Sequence, residues 1–237
     1  MPYQQSALQI DEENIVYRYF RSTNPHNKTL AIIVHGAGQA KQQQFVSMAE
    51  YLQQFYDVLT FDFSGHGLSS SHQLSSIAIR DRQLQTLIKH VLSQTNLTHI
   101  QSLHIYALSM GGQNALNLLD KFSNIQQLIL FSPALYHVDC FDLTFDHHFS
   151  QAIRTPNSWQ NNNAVQQFTF FSGKLYLIHP PVDNVIPQGV FDCYRISSLA
   201  QQSIDFKEII IDDAPHNFGQ WFMENPQRFE RIYKELT

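Results

Sequence analysis

Apolar positions in this chain fall into short runs and helical stripes that alternate. Residues 29–36 (TLAIIVHG), 56–63 (YDVLTFDF), 103–109 (LHIYALS), 125–133 (IQQLILFSP), 174–180 (KLYLIHP) and 206–212 (FKEIIID) are near-continuous apolar runs. Each reads as a strand buried on both faces. Between them the spacing changes to that of helices. Residues 41–54 put Phe45, Met48, Ala49, Leu52 and Phe55 on one face, and 75–93 do so through Ile79, Leu84, Leu87, Ile88 and Val91. Residues 110–121 turn Ala115, Leu116 and Leu119 inward, and 218–236 form a closing helix. Ahead of the alternation, SALQI and NIVYRYF flank the polar turn at residues 11–14, which reads as a hairpin. Strand and helix alternating from residue 29 onward predict right-handed crossovers, a mostly parallel sheet and helices on both faces.

One stretch breaks the pattern. Residues 134–172 are polar and dotted with aromatics, among them Tyr136, Phe145, Phe149, Trp159 and Phe168. That is too long for an ordinary connection. It predicts an insertion over the ligand crevice, built on two short helices. Its aromatics are expected to form a small satellite core, with some facing the crevice.

Composition narrows the field. The chain has 237 residues, 43% of them hydrophobic, enough for one domain with a full core. Net charge is −5, so no basic field exists for nucleic acid or an anionic membrane surface. Cys140 and Cys193 are too few for a disulfide framework. The first residues show neither a basic start nor an apolar core of a secretion signal, which points to the cytoplasm. On that basis the sequons at Asn27 and Asn96 are read as chance matches.

In sheets of this kind the crevice lies at the carboxyl ends of the strands, and the chemistry-bearing residues sit there. Ala107-Leu108-Ser109-Met110-Gly111 follows a buried strand and opens a helix. A serine on so sharp a turn needs small residues two before and two after it, here Ala107 and Gly111. The turn exposes the Ser109 hydroxyl, and the helix start offers the Met110 N–H to a developing oxyanion. A glycine-rich turn, His35-Gly36-Ala37-Gly38, follows the first long strand and offers a second N–H, that of Ala37. His216 follows the last strand as base candidate, and Asp183 follows the strand before it as acid candidate. Asp139, after the earlier strand, is the alternative acid. Histidines 35 and 66, with Tyr136 and Trp159, are candidate pocket residues. His147-His148, near Asp139, Asp142 and Asp146, lack the helical spacing of a metal pair. Adjacent side chains are expected to point apart, so neither metal nor cofactor is expected.

With these motifs in order along the chain, the sequence resembles α/β-hydrolase fold serine hydrolases. The matching pieces are residues 35–38, 62–70, 107–112, 179–187 and 213–218. Alanine at 107 departs from the glycine usual there. The resemblance implies one α/β-hydrolase domain over 1–237 with a short lid at about 134–172. It also implies a nucleophile Ser109, base His216 and acid Asp183, with Ala37 and Met110 as oxyanion donors. The implied partner is a small acyl substrate, an ester or thioester. A peptidase, a C–C hydrolase, an acyltransferase, or a silent small-molecule binder on this fold are the alternatives.

Overall fold

The computed structural model describes residues 3–94 and 97–236. Its strands are β1 (Gln4–Ile10), β2 (Glu13–Phe20), β3 (Thr29–Val34), β4 (Asp57–Phe61), β5 (Ser102–Leu108), β6 (Ile125–Phe131), β7 (Gly173–His179) and β8 (Ile204–Ile210). They form an eight-stranded sheet in the order β1-β2-β4-β3-β5-β6-β7-β8. The opening hairpin and its pairing onto β4 are antiparallel; every pair from β4 to β8 is parallel. The apolar runs overshoot the strands by a residue or two. Those last residues lie in the turns, as Ser109 does.

Eight helices are labelled α1 (Val46–Leu52), α2 (Ile77–Leu92), α3 (Met110–Leu116), α4 (His147–Arg154), α5 (Ala164–Phe168), α6 (Gln188–Leu199), α7 (Phe218–Glu224) and α8 (Gln227–Tyr233). Strand residues alternate between two cores. Leu30, Ile32, Val34, Ile105 and Leu128 face α2, α3, α5 and α6. Ala31, Ile33, Tyr106, Ile129 and Ile178 face α1, α7 and α8. Both faces are covered, which is why the strands read as unbroken apolar runs.

Several expected helices differ in extent. Residues 42–45 form a 3-10 turn ahead of α1, which ends at Leu52 and leaves Phe55 exposed. In α2 the buried stripe begins at Ile77, and Ile79 is only partly buried. The helix after Ser109 stops at Leu116 and continues as turns. The closing helix breaks at Asn225-Pro226, because proline at 226 cannot continue it. Helix α6 was not foreseen; it starts after Pro187 and buries Val190, Phe191 and Tyr194.

The insertion contains a short 3-10 turn (Val138–Cys140), then α4 and α5. Its aromatics are not a satellite. Tyr136, Phe149, Phe168 and Phe171 join the same core as α2, α3 and α6, while Phe170 is exposed. Among the described residues, no helix is long and apolar enough to cross a membrane. Asn27 is buried; Asn96 lies outside the described residues.

Candidate active site

Ser109 joins β5 to α3 with φ 51° and ψ −122°, a backbone conformation that side chains other than glycine rarely adopt. The surroundings hold it there. Its N–H donates to the Phe131 carbonyl at 3.0 Å, and its own carbonyl accepts from Gly112 and Ala134, each at 2.9 Å. A Cβ on Gly111 would lie 2.6 Å from the Val34 carbonyl oxygen, and one on Gly112 2.5 Å from Pro133 Cβ. The turn is therefore possible only with small residues on its helical side. On the strand side Ala107 pairs with Val34 and Leu130 and is fully buried without conflict. The alanine is sterically accepted at that position.

His216 lies in the turn after β8, and its Nε2 is 3.1 Å from Ser109 Oγ. Its Nδ1 is 2.9 Å from Asp183 Oδ2. The Asp183 side chain is fully buried, that of His216 one-fifth exposed. Asp183 Oδ1 accepts the N–H groups of Val185 (2.8 Å) and Ile186 (3.0 Å), so one oxygen anchors the carboxylate and the other faces the imidazole. Burial works to raise the Asp183 pKa, but the His216 hydrogen bond and the two N–H groups outweigh it. They hold the carboxyl down at about 2. Ionised at neutral pH, Asp183 fixes the His216 proton on Nδ1 and leaves Nε2 to accept from the serine hydroxyl. Asp139 is elsewhere: it is exposed and contacts His137. Asp213 pairs with Arg231 at 3.2 Å.

Ser109 opens onto a cavity of about 680 Å³ whose wall includes Ala37, Met110, His66, Tyr136, Phe149 and Trp159. A smaller recess of about 130 Å³, bordered by Ala37, Gln44, His216 and Phe218, also reaches Ser109. Trp159 reaches the cavity by packing on Gly189 of α6, where a Cβ would be 2.4 Å from the indole. Among the described residues no Asp or Glu lines the cavity, whereas Arg80 and Arg154 do.

His35 is a correction to the expected pocket set. It is fully buried beneath the Gly36 turn and lines neither cavity. It donates from Nδ1 to the Gly36 carbonyl at 2.7 Å and accepts the Phe63 N–H at Nε2. The residues 62–70 are tied by Asp62, which accepts from Gln42 and Leu68. His147 and His148 do not point apart: their rings are 3.8 Å between centroids. Among the described residues no group of three or more metal-ligating side chains gathers. Arg80 went unnoticed in the sequence, although it interrupts the α2 stripe of Ile77, Leu84 and Leu87 at the helical spacing of a core position.

Residues 25–161, more than half of the chain and including the Ser109 turn, match the family Hydrolase_4, described as serine aminopeptidase, S33. The chain belongs to the Hydrolase_4 family. This Hydrolase_4 member also has the α/β-hydrolase fold, shared with solved structures of low sequence identity. Esterase Pf2001 of Pyrococcus furiosus superposes with TM-score 0.70 at 17% identity, covering 97% of this chain and 90% of that one. Est1E of Butyrivibrio proteoclasticus gives TM-score 0.66 at 13% identity, covering 98% of each chain. A membrane phospholipase A, described as a bacterial virulence factor, gives 0.64 at 16%, covering 99% and 85%. No curated protein sequence matches the Hydrolase_4 chain. The family match ends before Asp183 and His216, whose place beside Ser109 rests on the geometry above.

Proposed function

We propose that this protein is a serine hydrolase that cleaves carboxylic ester or thioester bonds through an acyl-enzyme on Ser109. The observation that carries the reading is the continuous hydrogen-bonded line from Asp183 through His216 to Ser109 Oγ, ending in a largely apolar cavity. His216 Nε2 takes the hydroxyl proton as Oγ attacks the acyl carbon. The carbonyl oxygen gains negative charge, for which the N–H groups of Met110 and Ala37 are the donors. The proton passes from His216 to the leaving oxygen or sulfur as that bond breaks. Water then repeats the sequence in reverse and frees Ser109.

The whole chain acts as one domain, with residues 134–172 as the lid over the crevice. A volume of about 680 Å³ suits a small ligand, so the substrate is a soluble ester with a small to medium apolar group. The Hydrolase_4 description keeps an aminopeptidase reading in view. Against it, an aminopeptidase must hold a free ammonium group, and among the described residues the cavity offers arginines and no carboxylate.

The test has two arms. A fluorophosphonate probe should label the wild type and fail on Ser109→Ala, with unchanged circular dichroism. A panel of p-nitrophenyl esters of rising chain length and of aminoacyl p-nitroanilides should show turnover of esters alone. Labelling without ester turnover, together with anilide cleavage, makes the protein a peptidase. No labelling makes it a silent binder.

A further inference from the structure

Arg80 projects from α2 into the wall of the cavity and is fully buried. Among the described residues no carboxylate forms an ion pair with it. Its neighbour Asp81 is turned away to Asn114 and Asn117, at 2.7 Å each. A leucine at 80 would simply continue the α2 stripe, so packing alone does not call for a charge. Burying a guanidinium without a counter-ion is costly unless its donors are well used.

Two of its three nitrogens, Nη1 and Nη2, reach the Ser109 edge of the sheet, while Nε is buried without a hydrogen-bond partner among the described residues. Nη1 donates to the Gly36 carbonyl at 3.2 Å, and Nη2 donates to His66 Nε2 at 3.0 Å. The guanidinium lies 4.5 Å over the Phe63 ring and 5.3 Å from that of Phe145. The same Gly36 carbonyl accepts from His35 Nδ1 at 2.7 Å. Because His35 Nε2 already accepts the Phe63 N–H at 3.0 Å, the His35 proton must reside on Nδ1. Burial first, then the charge of Arg80, pushes the His35 pKa well below the ordinary value, so this neutral tautomer persists. Burial also lowers Arg80, to about 10, which leaves it charged at neutral pH.

The Gly36 carbonyl and the Ala37 N–H are two ends of one planar peptide unit, and in a trans peptide they point in opposite directions. Pinning the carbonyl inward on two buried donors turns the N–H outward, where Ala37 borders both cavities beside Ser109. The unit also lies against the serine: a Cβ on Gly36 would be 3.0 Å from Ser109 Cβ. We propose that Arg80 and His35 are positioning residues for the reaction, holding the Gly36–Ala37 peptide so that its N–H serves as an oxyanion donor. The arginine adds a second effect. A charge-assisted bond to the carbonyl polarises the peptide and makes its N–H a better donor. The inference rests on the acyl-transfer reading of Ser109.

The test uses Arg80→Met and Arg80→Lys in the full chain. Active serines are first counted by fluorophosphonate labelling, and kcat is expressed per labelled site. On p-nitrophenyl butyrate, Arg80→Met should lose about tenfold to hundredfold in kcat, less than deleting a donor outright, with KM within about twofold. A trifluoromethyl ketone, whose adduct on Ser109 carries the oxyanion, should lose affinity in parallel with kcat/KM. Arg80→Lys should recover part of both. Wild-type kcat per site in Arg80→Met, or a change confined to KM, overturns the proposal. Should Arg80→Met not fold, Arg80→Lys decides: an intermediate kcat with weakened ketone binding supports the proposal, and wild-type values overturn it. Failure of the wild type to label overturns the acyl-transfer reading itself, a result distinct from either.

Discussion

Asp183 is the residue where the candidate site and the stability of the chain meet. On the proposed reading its carboxylate acts through His216, so Asp183→Asn should lower kcat by roughly 10³–10⁴ and change KM little. Steady-state kinetics on one ester checks the split; a mild Asp183→Asn alongside a damaging Asp139→Asn would move the acid to the earlier strand. Because the folded pKa is about 2, below the unfolded value, the stabilisation from Asp183 is complete above about pH 4. It is lost as pH falls from there through 2. Acid unfolding curves of the wild type and Asp183→Asn should therefore draw together below pH 4 and converge only below about pH 2. The serine, histidine and this aspartate were legible in the sequence because each follows a strand whose apolar run marks where the crevice begins. Arg80 and the buried setting of His35 were not, since hydrogen bonding to a backbone carbonyl leaves no mark in residue spacing.

At the scale of elements, the β5–α3 junction leaves no room for a larger residue at Gly111. The Cβ introduced by Gly111→Ala would meet the backbone carbonyls of Val34 and His35 at 2.6 and 2.9 Å, and neither can move without displacing β3. The expected cost is about 1–3 kcal/mol, read as a lower urea midpoint, with kcat falling as well because the same shift displaces Met110. Strands were legible because burial on both faces writes itself as continuous Leu, Ile and Val. Helix ends were less so. The turn at 42–45 and the break at Pro226 depend on what packs against them. Helix α6 escaped because serines occupy its inward positions 197 and 198. The irregular spacing of the aromatics in residues 134–172 conceals that α5 packs on α3 and α6.

For the molecule as a whole, buried titratable groups set opposing pH dependences. Burial, aided by Lys174, lowers His104 to about 4, and burial also lowers His35 and His66. Each stays neutral when folded, so the stability it contributes is present above about pH 6.5 and falls as pH drops toward the folded value. Asp81 runs the other way. Burial outweighs the donors Asn114 and Asn117 and raises it to about 7, so its contribution is complete below about pH 4 and lost as pH rises through 7. Relative to wild type, His104→Leu should gain more stability at pH 5 than at pH 8, and Asp81→Asn more at pH 8 than at pH 5. Urea midpoints at the two pH values check both signs. A different consequence follows from the way residues 134–172 leave the sheet. Tyr136, Phe149 and Phe168 are bricks of the main core, whereas Ser150 and residues 153–159 border the cavity, and within 150–160 only Ala152, Ile153 and Trp159 pack, partly buried, against that core. Natural selection can thus retune substrate range along one arc of about a dozen residues while the fold's own requirements are met elsewhere. Transplanting a foreign segment at 150–160 should yield a folded enzyme with an altered ester preference, whereas replacing the whole insertion should cost the fold.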